Sequence, residues 1–169
     1  VPRKIDGVCV LRGIEMNILP PNGSTDVMEE RHFKHLDYVI ASFHEPCFPP
    51  VNSEAHTKAL ENILRTPYVT TLGHLGNQNY VFDQERIISQ CNDFGKIVEI
   101  NNNSLAIRKG SKENCKSIAE LCMKYRVPIV VTSDSHISFM VGKTDSALSM
   151  LEEIGFPEEL ILNADFDRL

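Results

Sequence analysis

The sequence predicts an α/β domain with parallel strands and outer helices. Short runs rich in Val and Ile alternate with segments of helical periodicity along the chain. Most of these runs are nearly continuous in apolar residues, as in strands buried on both faces of a parallel sheet. The length, 169 residues, suits one domain of ordinary size. Alternation of this kind is compatible with a barrel or an open sheet.

The predicted strands, in order, are Val8–Ile14, Leu36–Phe43, Tyr68–Leu72, Lys96–Ile100 and Pro128–Thr132, with a weaker one at Leu160–Leu162. Residues 20–35 open on Pro20-Pro21-Asn22-Gly23 and read as a turn-rich excursion ending in a short helix or turn. Ser53 is expected to cap a helix carrying Ala55, Ala59, Leu60, Ile63 and Leu64. Asp83 caps a helix from Gln84 to Phe94, with Gly95 at its C-terminal end. Ser111 caps a helix with Cys115, Ile118, Ala119 and Cys122 on one stripe. A further helix runs from Lys143 to Ile154 and stops at Gly155, with Pro157 beyond. The acidic pairs Glu29-Glu30 and Glu152-Glu153 read as solvated faces.

Composition narrows the function classes. Seventeen basic residues against 23 acidic ones give a net charge of −6, which opposes a broad grip on nucleic acid. No apolar run approaches the roughly 20 residues of a membrane span. The five cysteines contain no C-x-x-C pair and read as small hydrophobes in a reducing cytoplasm. The chain starts Val1-Pro2-Arg3-Lys4 without Met and with no apolar leader, so it is expected to be a piece of something longer.

In α/β folds the chemistry gathers at the carboxyl ends of the strands. Glu15 and Asn17 follow the first predicted strand, His44 and Glu45 the second, and His74 and Asn77 the third. Asn101, Asn102 and Asn103 follow the fourth, and Asp134 and His136 the fifth. His32, His35 and His56 are placed in a turn or on helix surfaces. Imidazole and carboxylate together suit Zn²⁺, Mn²⁺ or Fe²⁺, so Glu15, His44, His74, Asp134 and His136 are the candidate ligands. In an extended strand end, the spacing of Asp134 and His136 would put both on one side. A carboxylate such as Glu15 can bridge two metals, and the cluster would acidify a bound water and clamp an oxyanion. Arg108, in Arg108-Lys109-Gly110-Ser111, is a candidate phosphate fork just before a helix start.

Six motifs resemble the PHP (polymerase and histidinol phosphatase) family: Arg12–Asn17, Phe43–Pro46, Gly73–Asn77, Glu99–Asn103, Arg108–Cys115 and Ser133–His136. Their order is most similar to the YcdX-like phosphatase branch, as is the closing Ile161-Leu162-Asn163 with Asp167-Arg168-Leu169. The resemblance implies a distorted (β/α)7 barrel of TIM type, with parallel strands and outer helices. It implies a site of up to three divalent metal ions (zinc, manganese or iron) and hydrolysis of a small phosphorylated molecule by a metal-bound hydroxide. Glu15, His74 and Asp134 would serve catalysis, the same residues with His44 and His136 the metals, and Asn101 and Arg108 the substrate.

The chain departs from the family in two ways. Leu75 stands where relatives carry Pro. The family's opening His-x-His, a further His and a second strand ending in Asp-His are absent. Residues 1–169 are therefore read as a single PHP-type domain, N-terminally truncated, with an incomplete barrel. Such a barrel exposes open sheet edges that favour self-association, and it would hold fewer metals. The alternatives are a non-catalytic fragment, a nuclease or structural module of nucleic-acid metabolism, and an amidohydrolase. The last would want a bridging Lys or His that the sequence does not show.

Overall fold

A computed structural model of the chain describes residues 2–27, 30–165 and 168, with Glu30 described by its backbone alone. The expectations for the Glu29-Glu30 side chains and for Asp167 and Leu169 lie outside the described residues.

The chain opens with a two-stranded antiparallel hairpin, β1 (Lys4–Ile5) and β2 (Val8–Cys9). Next come β3 (Gly13–Leu19), β4 (Ser24–Thr25), β5 (Tyr38–Ser42), α1 (Ser53–Leu64) and β6 (Thr71–Leu72). The remaining elements are α2 (Gln84–Ile88), β7 (Ile97–Asn101), α3 (Asn102–Ile107), α4 (Ser111–Tyr125), β8 (Ile129–Thr132) and α5 (Asp145–Glu153). The main sheet has six strands in the order β4-β3-β5-β6-β7-β8. All are parallel except the short β4, which pairs antiparallel to the end of β3. The expected α/β class with a mostly parallel sheet is what the chain adopts.

Register divides the sheet into two unlike faces. One carries Met16, Ile18, Val39, Ala41, Leu72, Val98, Ile100 and Ile129. These form one core cluster with Ala59, Leu60 and Ile63 of α1, Ile118 and Cys122 of α4, and Met150 of α5. The other face carries Glu15, Asn17, Ser42, Thr71, Glu99, Asn101 and Thr132, interspersed with Tyr38, Ile40, Ile97 and Val130. Burying one face against helices is worth about 25 cal/mol per Å² of apolar area, so the wholly apolar face takes that side and fixes the register. The polar residues are then left on the opposite side together.

The strand boundaries moved for the same reason. The predicted run Val8–Ile14 is two elements: Val8 and Cys9 fold back on Lys4 and Ile5, and β3 begins at Gly13. In β3, Ile14, Met16 and Ile18 alternate with Glu15 and Asn17. This is the period of a strand with one polar face, not of a continuous apolar run. Glu15 consequently sits inside a strand rather than after one. The weak Leu160–Leu162 strand reduces to a single bridge between Ile129 and Ile161. Beside it the Asn163 side chain stands in for a strand: its Oδ1 accepts from Val131 N at 3.0 Å and its Nδ2 donates to Val131 O at 2.7 Å.

Helix starts were legible to within about two residues. Asn52, not Ser53, caps α1 by accepting from Ala55 N at 2.9 Å. Asp83 caps α2 as expected, accepting from Arg86 N at 3.0 Å. Ser111 is the first residue of α4 rather than its cap, which is Gly110. The helix expected to reach Phe94 stops at Ile88. There the Gln90 side chain and Ser89 hydroxyl both donate to Arg86 O, competing with the backbone ladder. His56, expected on a helix surface, is only 1% exposed. Its Nδ1 donates to Val81 O at 2.8 Å and its Nε2 accepts from Val51 N at 3.0 Å. Cys91, Cys115 and Cys122 are buried, Cys47 half-buried and Cys9 exposed, and all are free thiols. Among the described residues, no helix is long and apolar enough to cross a membrane.

Candidate metal centre

Three strands converge on one group of side chains. Glu15 projects from the polar face of β3, His44 follows β5, and His74 follows β6. One ligand atom from each lies within 4.8 Å of the others. Glu15 Oε1 is 3.2 Å from His74 Nε2 and 3.5 Å from His44 Nε2. The two Nε2 atoms are 3.3 Å apart. His74 is buried, His44 half-buried, and Glu15 open to solvent at one side.

The sequence places these atoms by local means. Gly73 ends β6 where a Cβ would meet Ser42 Oγ at 2.0 Å and Ile40 Cγ2 at 2.7 Å, so only glycine lets β6 approach β5. His74 then adopts φ +30°, in the left-handed region that costs a residue with a side chain about 1 kcal/mol or more. Its backbone N–H donates to Glu99 Oε2 at 2.7 Å, which helps hold that turn. The His44 loop is fixed by an aromatic cluster: Phe43 stacks on Tyr80 with centroids 4.7 Å apart, and Phe48 meets Phe43 edge-on. Tyr80 Oη donates to Phe48 O at 2.6 Å. Phe43 and Phe48 thus form a buried wall behind the ligands.

The electrostatics suit a cation. The His74 imidazole beside Glu15 holds its carboxyl down at about 2, against the opposing effect of burial. Burial, with the neighbouring His74, pushes His44 below its ordinary value, which favours the neutral imidazole that ligates metals. Ser42 Oγ is buried with no hydrogen-bond partner, yet lies close enough to Glu15 to favour its charged form. One carboxylate and two imidazoles make a donor set for a divalent transition ion, so Glu15, His44 and His74 can hold a metal ion.

The other expected site residues lie around this group without joining it. Asp134, after β8, influences His44 electrostatically. It adopts φ +47°, so the segment is not extended and the alternation expected of Asp134 and His136 fails. The His136 side chain is 81% exposed, with Nδ1 donating to Asp134 O at 3.0 Å. Asn101 is buried and caps α3, accepting from Ser104 N at 2.9 Å. Arg108 lies just before the start of α4, as expected; it also ends α3, and its Nη1 donates to Ser104 Oγ. Its charge reaches His44, whose pKa it helps to lower.

One residue of the site stood in a quoted motif without a role of its own. Glu99 lies on the polar face of β7, 6% exposed. Its Oε2 accepts from His74 N and its Oε1 from Thr132 Oγ1 at 2.7 Å, tying the end of β6 to that of β8. Burial pushes its carboxyl up. The available signal was an acidic residue in the middle of the apolar run Ile97-Val98-Glu99-Ile100.

Fold and site together define an α/β protein with a candidate metal centre built across adjacent parallel strands. The chain is similar to proteins named "probable phosphatase". It is 43% identical over 168 residues to one from Acetivibrio thermocellus, covering 99% of this chain and 69% of that protein. It is 45% identical over 166 residues to one from Clostridium acetobutylicum, covering 98% and 68%. It is 44% identical over 171 residues to one from Caldanaerobacter subterraneus subsp. tengcongensis, covering 100% and 67%. The chain belongs to this family of probable phosphatases. No family model matches it.

Proposed function

We propose that the protein is a metal-dependent phosphoesterase acting on a small phosphorylated molecule, with Glu15, His44 and His74 holding a zinc, manganese or iron ion. The observation that carries this reading is the convergence of these three donors within 4.8 Å in a chain whose relatives are named phosphatases. The PHP resemblance supports the same reading, and it makes the sheet part of a (β/α)7 barrel with the polar face inward. When bound, such a cation supplies positive charge to phosphoryl oxygens and lowers the pKa of water.

The chain's own residues supply the rest. Glu15 gives a negative donor, its carboxyl held down at about 2 by the His74 imidazole beside it. Arg108 and Lys109 bring cationic charge for a phosphate group. Asp134 and His136 sit on the loop after β8, one strand beyond β7, as further donors that the PHP resemblance assigns to the metals. The net charge of −6 favours a small substrate over a polynucleotide.

The test is hydrolysis of p-nitrophenyl phosphate in the presence of Zn²⁺, Mn²⁺ or Fe²⁺. Turnover should depend on the metal and fall at least about 100-fold in His74→Ala and Glu15→Gln. Absence of turnover with all three metals would overturn the reading in favour of a non-catalytic module.

A further inference from the structure

His44 has two ring nitrogens, and ligation through Nε2 requires that the proton reside on Nδ1. The structure contains a chain of hydrogen bonds that settles where that proton lies. It starts at Asp26, the residue that follows β4 and is exposed to solvent. An Asp carboxylate only accepts. Asp26 Oδ1 accepts from Asn17 backbone N at 3.0 Å, and Oδ2 accepts from Asn17 Nδ2 at 2.5 Å. Asp26 N donates back to Asn17 O at 3.3 Å, closing a ring between the end of β3 and the segment after β4.

With its NH₂ committed to Asp26, the Asn17 amide has one orientation left, with Oδ1 facing away from Asp26. That oxygen lies 2.8 Å from His44 Nδ1. A carbonyl oxygen only accepts, so Nδ1 must carry the proton. The lone pair is thereby left on Nε2, the atom that faces Glu15 Oε1 at 3.5 Å and His74 Nε2 at 3.3 Å. Each step has a single solution, because the relay begins at a group with no proton to give.

We infer that Asn17 and Asp26 are positioning residues that fix the ring proton of His44 on Nδ1 and commit Nε2 to the cation. This rests on the metal-binding reading for its purpose, but the position of the proton is a property of the metal-free protein. Asn17 acts through His44, which it contacts directly, and Asp26 acts through Asn17.

The experiment uses protein labelled with nitrogen-15 in histidine. Long-range proton–nitrogen spectra of the metal-free protein read the His44 tautomer, and calorimetric titration with Zn²⁺ alone reads affinity. The unaltered protein should show the proton on Nδ1. Asn17→Leu, which keeps the size and removes the acceptor, should scatter the proton over both nitrogens and weaken Zn²⁺ binding by about 10- to 100-fold. Asp26→Asn should give an intermediate result, since either amide can then turn. The double exchange Asn17→Asp with Asp26→Asn rebuilds the relay with acceptor and donor reversed. It should restore both the tautomer and the affinity, which recovery of mere packing would not do. A proton on Nε2 in the unaltered protein overturns the inference. So does an Asn17→Leu variant with unchanged tautomer and affinity, or a double exchange no better than Asp26→Asn. If the unaltered protein binds no Zn²⁺, the metal reading fails and the tautomer series alone decides the relay.

Discussion

Lys96 shows what a single buried charge demands. It is 3% exposed, and its Nζ donates to Thr66 O at 2.7 Å and Val69 O at 2.6 Å, with no carboxylate among these partners. Burial pushes its pKa below the ordinary 10.5. The unfolded chain therefore binds the proton more tightly than the folded one, and stability rises with pH across the window between the folded value and 10.5. Lys96→Met should lose about 1–3 kcal/mol near neutral pH, because two carbonyls lose their donor. The variant should also lack that rise, as urea unfolding of both proteins from pH 7 upward would show. Glu99→Gln is expected to destabilise by a similar amount and to weaken Zn²⁺ binding, because an amide cannot accept on both sides as the carboxylate does. Thermal unfolding with calorimetric titration checks both. At this scale residue type was a good guide: Glu15, His44 and His74 stood out by chemistry and position. Glu99 and Asp26 did not, because their roles exist only through folded partners, Thr132 at a separation of 33 for Glu99 and His44 by way of Asn17 for Asp26.

The strands and helices were legible where one physical cause dominated. Asp83 marks its helix start because capping is a local demand, whereas Gly95 ends a separate 3-10 turn, Asn92–Phe94, with its left-handed φ of +60°. Asn52 was overlooked in favour of its neighbour Ser53, since both residue types cap and only the backbone decides. Asn52→Ala should cost about 1 kcal/mol, seen as a lowered thermal midpoint with unchanged metal affinity. β6 is the opposite case. It has only two residues, and what fixes it is the approach that Gly73 permits. Gly73→Ala should displace β6 from β5 and cost about 1–3 kcal/mol. It should weaken Zn²⁺ binding as well, because His74 is the next residue. A variant with native midpoint and native affinity would refute this account of the β5–β6 contact.

For the whole molecule, the two-faced sheet explains why class was readable and closure was not. Apolar runs separated by helical stretches announce parallel strands, but whether a sheet closes depends on curvature that no short segment encodes. A ligand that binds only the folded form stabilises it by mass action, about 2.7 kcal/mol at a hundredfold excess over Kd. Zn²⁺ should therefore raise the thermal midpoint, EDTA should reverse the rise, and the combined Glu15→Gln, His44→Ala and His74→Ala variant should show neither effect by scanning calorimetry.

The placement of the three donors on successive parallel strands has a kinetic consequence. His44 and His74 are 30 residues apart, with α1 between them, and Glu15 comes from a strand earlier still. Contacts of that sequence separation form slowly, since each requires a long loop to close before any enthalpy is gained. No pair of neighbouring residues can gather the ion first and draw the others in. Metal capture at this site would thus be a late event that reports completion of β3, β5 and β6 in register. In a refolding experiment, uptake of Zn²⁺ would serve as a clock for the assembly of the sheet.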